Sequence, residues 1–241
     1  MLNMIKKQFK LRKEEIVYAG IIECVTFILG MIVLALIVKF DDTTDNVFEL
    51  GTIFALGATL FTTALLAFAT FGVSFNNAIC MGRTRKSFVI SYTVVTFCIT
   101  CVAIIVGFFF GFIEKSIYII IYPNHVFEYV AMNHITPIIV VAVILVEVIV
   151  PIFIGTLLAK YGQKAFWIMW IFWMFGFTVL PRMLKNIYEN DSFGLGDSER
   201  KLIAALGGIG TVSWYVIGGI ILLIMLVTTI NLIRKQGVKI P

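Results

Sequence analysis

Two carboxylates interrupt runs that are otherwise apolar: Glu23 in "VYAGIIECVTFILGMIVLALIV" and Glu147 in "TPIIVVAVILVEVIVPIFIGTLLAK". A carboxylate at mid-bilayer costs roughly 2.5 to 3.5 kcal/mol on insertion scales, so it faces a partner or a wet cavity. Glu147 follows Pro137 by about 15 Å at the 1.5 Å rise of a helix, which puts it near the middle of a span. Pro151, one turn further on, cannot donate to the carbonyl of Glu147, and this predicts a kink there. Two readings answer the cost of Glu147: a role in a substrate path or gate, or a buried structural hydrogen bond. Glu23 stands nearer one surface, where it is either paired with a basic group or protonated.

Other residues with chemical potential are weaker. His125, Glu128 and His134 in "YPNHVFEYVAMNHIT" could be weighed as metal ligands. The histidines, however, stand at neither i+3 nor i+4 spacing, and no cysteine or second carboxylate completes a tetrahedral set, so no metal site is expected. Cys98 and Cys101 have redox-motif spacing but lie inside an apolar run with Cys24 and Cys80 elsewhere in or beside such runs, where thiols act as small hydrophobes. The chain carries no phosphate loop, no H-E-x-x-H, no nucleophile elbow and no dinucleotide fingerprint. No catalytic residue is expected, and no cofactor is expected on this chain.

The elements that must position these residues follow from composition. Of 241 residues, 60% are hydrophobic and 14% charged, with a mean hydropathy of +1.01. A soluble domain is about half apolar and a quarter charged, so this is a membrane chain. A bilayer core needs about 20 apolar residues per helix. Six runs qualify, near residues 16–38, 50–75, 88–113, 137–159, 165–180 and 209–233, the fifth being short. They are continuous rather than alternating, which argues against a transmembrane β-barrel. The first is too long for a signal-peptide core and lacks a small-residue cleavage pattern, so it is expected to stay. The fold class expected is an all-α polytopic membrane protein forming one transmembrane domain over residues 1–241.

Assigning charges to the breaks gives two alternating classes. Lys6, Lys7, Lys10, Arg12 and Lys13 precede the first run; Arg83, Arg85 and Lys86 follow the second; Lys160 and Lys164 follow the fourth; Arg234, Lys235 and Lys239 close the chain. The other class holds Asp41, Asp42, Asp45, Glu49, Glu114, Glu128, Glu189, Asp191, Asp197 and Glu199. Basic residues of short loops stay cytoplasmic, so both termini and the 83–86 cluster are expected in the cytoplasm. The net charge of +5 therefore serves orientation and contact with anionic lipid, not nucleic acid.

Residues 1–15, "MLNMIKKQFKLRKEE", put Met1, Leu2, Met4, Ile5 and Phe9 on one helical face and the lysines on the other, as in a helix lying in the interface. Arg12 alone falls on the wrong face. The acidic stretch "FDDTTDNVFE" reads as a solvated turn, and Tyr122, Phe127 and Tyr129 as interface anchors. Residues 181–207 read as a helix, a turn and a second short helix before the last run, with Pro181 stopping the fifth.

Between the second and third runs lies "FNNAICMGRTRKSFVISY", residues 75–92. Asn76 and Asn77 can cap, Gly82 permits a bend, and Ala78, Ile79, Cys80 and Met81 stand beside polar groups. At this point the chain resembles the permease subunits of ABC exporters of the second superfamily, whose fold is also called type V. The likeness rests on the interfacial helix, the six-span pattern, the short "MGRTRKSF" hairpin, with Gly82, Thr84, Arg85, Lys86 and Phe88, and the helices before the last span. It implies a cytoplasmic coupling helix within residues 76–87, where Asn77, Ile79, Met81, Gly82, Arg83, Thr84, Arg85 and Lys86 would meet a separate ATP-binding subunit. It also implies a second permease subunit, ATP and magnesium on the partner, and short extracellular re-entrant helices. Spans two and five would line the path, which adds Thr59, Thr63 and Trp170 to Glu147.

The cargo expected is hydrophobic or amphipathic, such as a peptide, antibiotic or lipid, moved outward across a plasma membrane, here a bacterial cytoplasmic one. Two other classes fit the same residues: a non-transporting sensor or scaffold whose basic loop binds a cytosolic partner, and an ion-coupled carrier using Glu147. No internal repeat or pair of broken helices supports the carrier. Thr59 and Thr63 are equally read as bonding their own backbone, and Trp167, Trp170 and Trp173 as a packing stripe.

Overall fold

The computed structural model describes residues 2–40, 46–123, 126–128, 135–175, 178 and 210–235. Seven helices lie in them: α1 (Leu2–Leu11), α2 (Lys13–Phe40), α3 (Leu50–Cys80), α4 (Arg85–Ile121), α5 (Pro137–Tyr161), α6 (Gln163–Met174) and α7 (Thr211–Lys235). Five are long and apolar enough to cross a bilayer: α2, α3, α4, α5 and Ser213–Arg234 within α7. The chain is thus a polytopic helical membrane protein, because in hydrocarbon a helix satisfies all its backbone donors and acceptors within one segment. Of the fifth apolar run, the described residues include α6, 12 residues long, and the run continues beyond the described residues. The segment 181–207 lies outside the described residues, as do His125 and His134.

The chain divides after Gly155 into two compact units. In the first, α2, α3 and α4 pack together and α1 lies mainly on α4. The central helix is α4: 44% of its apolar window is buried, against 22% for α2 and 28% for α3. At 37 residues it is about 55 Å long and outreaches a bilayer core of about 30 Å. It therefore carries side chains that belong to both ends of the unit.

Each end has its own core. Where α3 turns into α4, Phe71, Phe75, Phe88 and Tyr92 are all buried and form an aromatic cluster. Phe71 meets Tyr92 edge-on at 5.1 Å, and Phe75 meets Phe88 at 5.6 Å. Such pairs contribute about 0.5 to 1.5 kcal/mol beyond the area they bury. The Tyr92 hydroxyl donates to the Ala67 carbonyl at 2.5 Å, so the ring is also tied to α3. At the opposite end Leu34 and Tyr118 are buried together, with Met31, Leu50 and Tyr122 against them.

At that same end the backbones of α2 and α3 touch. A Cβ on Gly30 would stand 2.6 Å from the Cα of Gly51, so only glycine admits this crossing. Phe27 of α2 stacks on Phe110 of α4 at 4.5 Å beside it.

No strand is expected from the apolar runs, yet Asn46–Phe48 (β1) pairs in parallel with Val126–Glu128 (β2), Asn46 opposite Val126 and Phe48 opposite Glu128. Both segments contain Val-Phe, residue types that favour extended backbone. The pairing joins the segment after α2 to the segment after α4, so those connections share one end of the unit. The α3–α4 hairpin and α1 share the other. The stretch read as a solvated turn is, over β1, paired backbone.

Candidate functional site: the basic hairpin and its brace

The second apolar run does not stop near Phe75. The helix α3 continues to Cys80, so Asn76, Asn77, Ala78, Ile79 and Cys80 are its last turns rather than a loop or a separate helix. The run of Phe75 to Cys80 contains no helix breaker, and Ala78 is buried, so packing carries the helix on. Only residues 81–84 connect it to α4. Gly82 has φ +77°, the left-handed region in which a side chain is strained. The Gly82 amide bonds to the Ile79 carbonyl at 2.9 Å and the Arg83 amide to the Ala78 carbonyl at 3.0 Å, which closes the helix end.

The cap of α4 is Thr84, not an asparagine. Its backbone is extended and its hydroxyl accepts from the Ser87 amide at 3.3 Å. Asn76 and Asn77 lie inside α3, where their amides have no free helix start to cap.

The knuckle so formed is presented to solvent unevenly. Met81 is 75% exposed; Asn77, Gly82, Thr84 and Lys86 are exposed, while Ile79, Arg83 and Arg85 are half-buried. Arg83 is held, because its guanidinium donates to the Gln8 side-chain oxygen of α1 at 3.4 Å. Ser87 at the start of α4 donates to the Met4 sulfur of α1. The amphipathic N-terminal helix therefore lies along the base of the hairpin, with Lys6, Lys7 and Lys10 exposed on its far side.

Arg12, the residue that broke the amphipathic pattern, explains how α1 is fixed. It is 3% exposed. Its guanidinium donates to Glu15 at 2.6 Å and to the Thr96 hydroxyl of α4 at 2.7 Å, and it sits 4.5 Å above the Tyr92 ring. A planar fork with several donors can serve a carboxylate, a hydroxyl and a ring at once. The single non-helical residue between α1 and α2 is Arg12 itself, so this side chain pins the elbow between them. The signal in the sequence was there: one basic residue on the apolar face of an otherwise clean pattern.

Within the first unit, the threonines assigned to a substrate path do not share a cavity with Glu147. Thr63 is buried and its hydroxyl bonds the Leu60 carbonyl at 2.9 Å, the backbone-bonding alternative. Thr59, one turn away on α3, is buried and its hydroxyl has no partner. It lines a cavity of about 260 Å³ with Glu23 of α2, not with Glu147. Glu147 is half-buried on α5, and its Oε2 has no hydrogen-bond partner. The helix α5 runs unbroken through Pro151. Trp170 is 46% exposed on α6, edge-on to Trp167 at 6.0 Å.

Sequence reading missed Glu114. Counted there with the acids of the outer loops, it lies within α4 and is fully buried. One carboxylate oxygen accepts from the Gly51 amide at 2.8 Å, the other from the Thr52 amide at 2.7 Å and the Thr52 hydroxyl at 2.6 Å. Glu49, in the cap position of α3, makes no side-chain cap bond. Glu114 supplies that cap from a different helix, with its charge at the positive end of the α3 dipole. The hint in the sequence is a helix start, "FELGTIF", with no Ser, Thr, Asp or Asn in position to cap it.

Fold and site together define a polytopic helical membrane protein with a braced, basic hairpin. No family model, no curated protein and no solved structure matches the chain.

Proposed function

We propose that the chain is the six-span permease subunit of an ATP-driven ABC exporter. The observation that carries this reading is the hairpin: two helices of 31 and 37 residues joined by a four-residue turn and braced from the side by α1. A soluble motor moves membrane helices only through a protrusion stiff enough to transmit a displacement and able to make different contacts in two states. Met81 offers an exposed apolar anchor and Lys86 a cation beside it, the pairing a groove with an acidic rim would receive. In this reading ATP and magnesium are bound by the partner subunit, two permease subunits complete the pathway, and the cargo is hydrophobic or amphipathic. Both termini and the hairpin face the cytoplasm of a bacterial plasma membrane, where their basic residues belong.

The test is purification from the native membrane in mild detergent, with magnesium-dependent ATP hydrolysis as the readout. The wild-type chain is expected to bring an ATP-hydrolysing subunit with it, and Met81→Asp with Lys86→Glu to lose that subunit while still inserting. An intact wild-type assembly with no nucleotide-binding subunit overturns the reading. An ion-coupled carrier has one observation in its favour, the unpartnered Oε2 of Glu147. Proton- or sodium-driven uptake into vesicles holding this chain alone, abolished by Glu147→Gln, would establish it instead.

A further inference from the structure

We infer that the cavity between α1, α2, α3 and α4 is a binding site for an alkylammonium, a molecule with a protonated amine at the head of a short hydrocarbon chain. The cavity measures about 260 Å³, and its walls are apolar except for Glu23, Thr59 and two thiols. Glu23 is 3% exposed and Thr59 fully buried. Glu23 Oε1 and the Thr59 hydroxyl both lack a hydrogen-bond partner. Buried polar groups are almost always satisfied, and two orphans lining one cavity mark a place where a ligand supplies the missing bonds.

The chemistry of the walls narrows the ligand. Arg12, the one buried basic residue among the described residues, is engaged by Glu15, Thr96 and Tyr92, so the described residues supply no free buried cation to Glu23. An anion gains no positive group from these walls, and an ionised Glu23 would repel it. A divalent cation needs about six oxygen ligands, and only Glu23 and Thr59 offer side-chain oxygens here. Water filling the whole volume would need two to four polar partners per molecule, and most of the wall has none. An ammonium has three donors, enough for the carboxylate and the hydroxyl together. Its hydrocarbon would lie against Val102 and Val106, which line the same space.

The entrance is on the flank of the helices. Gly20, Cys24 and Val102 line the cavity and are exposed, while Phe9 of α1 covers one side. A ligand thus enters from the face of α2 and α4, the direction from which a molecule dissolved in the membrane arrives. This site does not depend on an ATP-binding partner, so it is tested on the isolated chain.

Cys24 and Cys98 line the cavity, and Cys80 at the end of α3 does not. The chain is purified in dodecyl maltoside and alkylated with N-ethylmaleimide in the presence of decylammonium or, in parallel, decanol. Peptide mass spectrometry reads each cysteine. Decylammonium is expected to slow Cys24 and leave Cys80 unchanged, with decanol having little effect. Glu23→Gln is expected to raise the half-protecting concentration by about tenfold or more, the usual loss for a charge-assisted hydrogen bond. Gly20→Phe, at a position where an added Cβ meets nothing within 4 Å, is expected to block protection without disturbing the fold, and keeps the test valid should Glu23→Gln fail to fold. Equal protection by decanol, protection unaltered in both variants, or parallel slowing of Cys80 overturns the inference. Protection of Cys24 that follows protein concentration and ignores the amine assigns the cavity to a second copy of the chain, and also overturns it.

Discussion

Glu114 and Glu23 are both buried carboxylates in the first unit, and their surroundings are opposite. Glu114 meets three donors at the start of α3, two amides and a hydroxyl. Glu23 has an oxygen with no partner and a cavity in front of it. Desolvating a carboxylate is unfavourable in either place, but at Glu114 the helix end returns the lost hydrogen bonds and adds the field of aligned peptide dipoles. The contrast teaches that a buried charge is structural when the fold satisfies it, and points outward to a ligand when the fold leaves it incomplete.

Mutation sharpens that contrast. Glu114→Ala is expected to have the largest effect: it strands the Gly51 and Thr52 donors inside the unit and lowers stability by roughly 2 to 4 kcal/mol. This is read as a drop in the thermal midpoint in detergent. An unchanged midpoint would mean that water replaces the carboxylate and that Glu114 is no cap. Arg12→Ala follows, at roughly 1 to 3 kcal/mol from loss of two charge-assisted bonds and the Tyr92 contact. The elbow at residues 11–15 should then become open to limited proteolysis, and Arg12→Lys should not restore protection, since one ammonium cannot reach all three partners. Thr84→Ala removes the α4 cap and is expected to cost about 1 kcal/mol. Its local signature is faster hydrogen exchange at Ser87. Glu23→Gln is expected to move stability by less than about 0.5 kcal/mol, because it removes no hydrogen bond to the unpartnered oxygen and relieves the burial of a carboxylate. If it proves as damaging as Glu114→Ala, the two sites are alike and the comparison fails.

Several of these residues were legible in the sequence for what they are, and others only by their wrongness. Long apolar runs announced α2, α3, α4, α5 and α7, because hydrocarbon leaves a helix no alternative way to satisfy its backbone. Gly82 was readable as the bend, since little else tolerates its φ. The N-terminal amphipathic helix was also readable, and Arg12 stood out against it without showing its partners. Thr84 does lie in the connecting turn, where it also caps α4, but Asn76 and Asn77 do not cap, because packing of Ala78 and Phe75 extends α3 past the point where hydropathy fades. Glu114 was placed in a loop for the mirror reason: a charge seemed to end a span that in fact continues for another two turns.

Composition and the order of apolar runs fixed the class of molecule, its helices and the side of the hairpin on which positive charge gathers. These are local or one-dimensional properties, set by the solvent each segment must face. Which carboxylate would be satisfied and which left open was decided only in three dimensions. The partners of Glu114 stand 62 and 63 positions away along the chain, and Thr59, which lines the same cavity as Glu23, is on a different helix. Hydrogen-bond complementarity between distant segments depends on how the helices cross, and in this protein that crossing is set by two glycines, Gly30 and Gly51, meeting backbone to backbone.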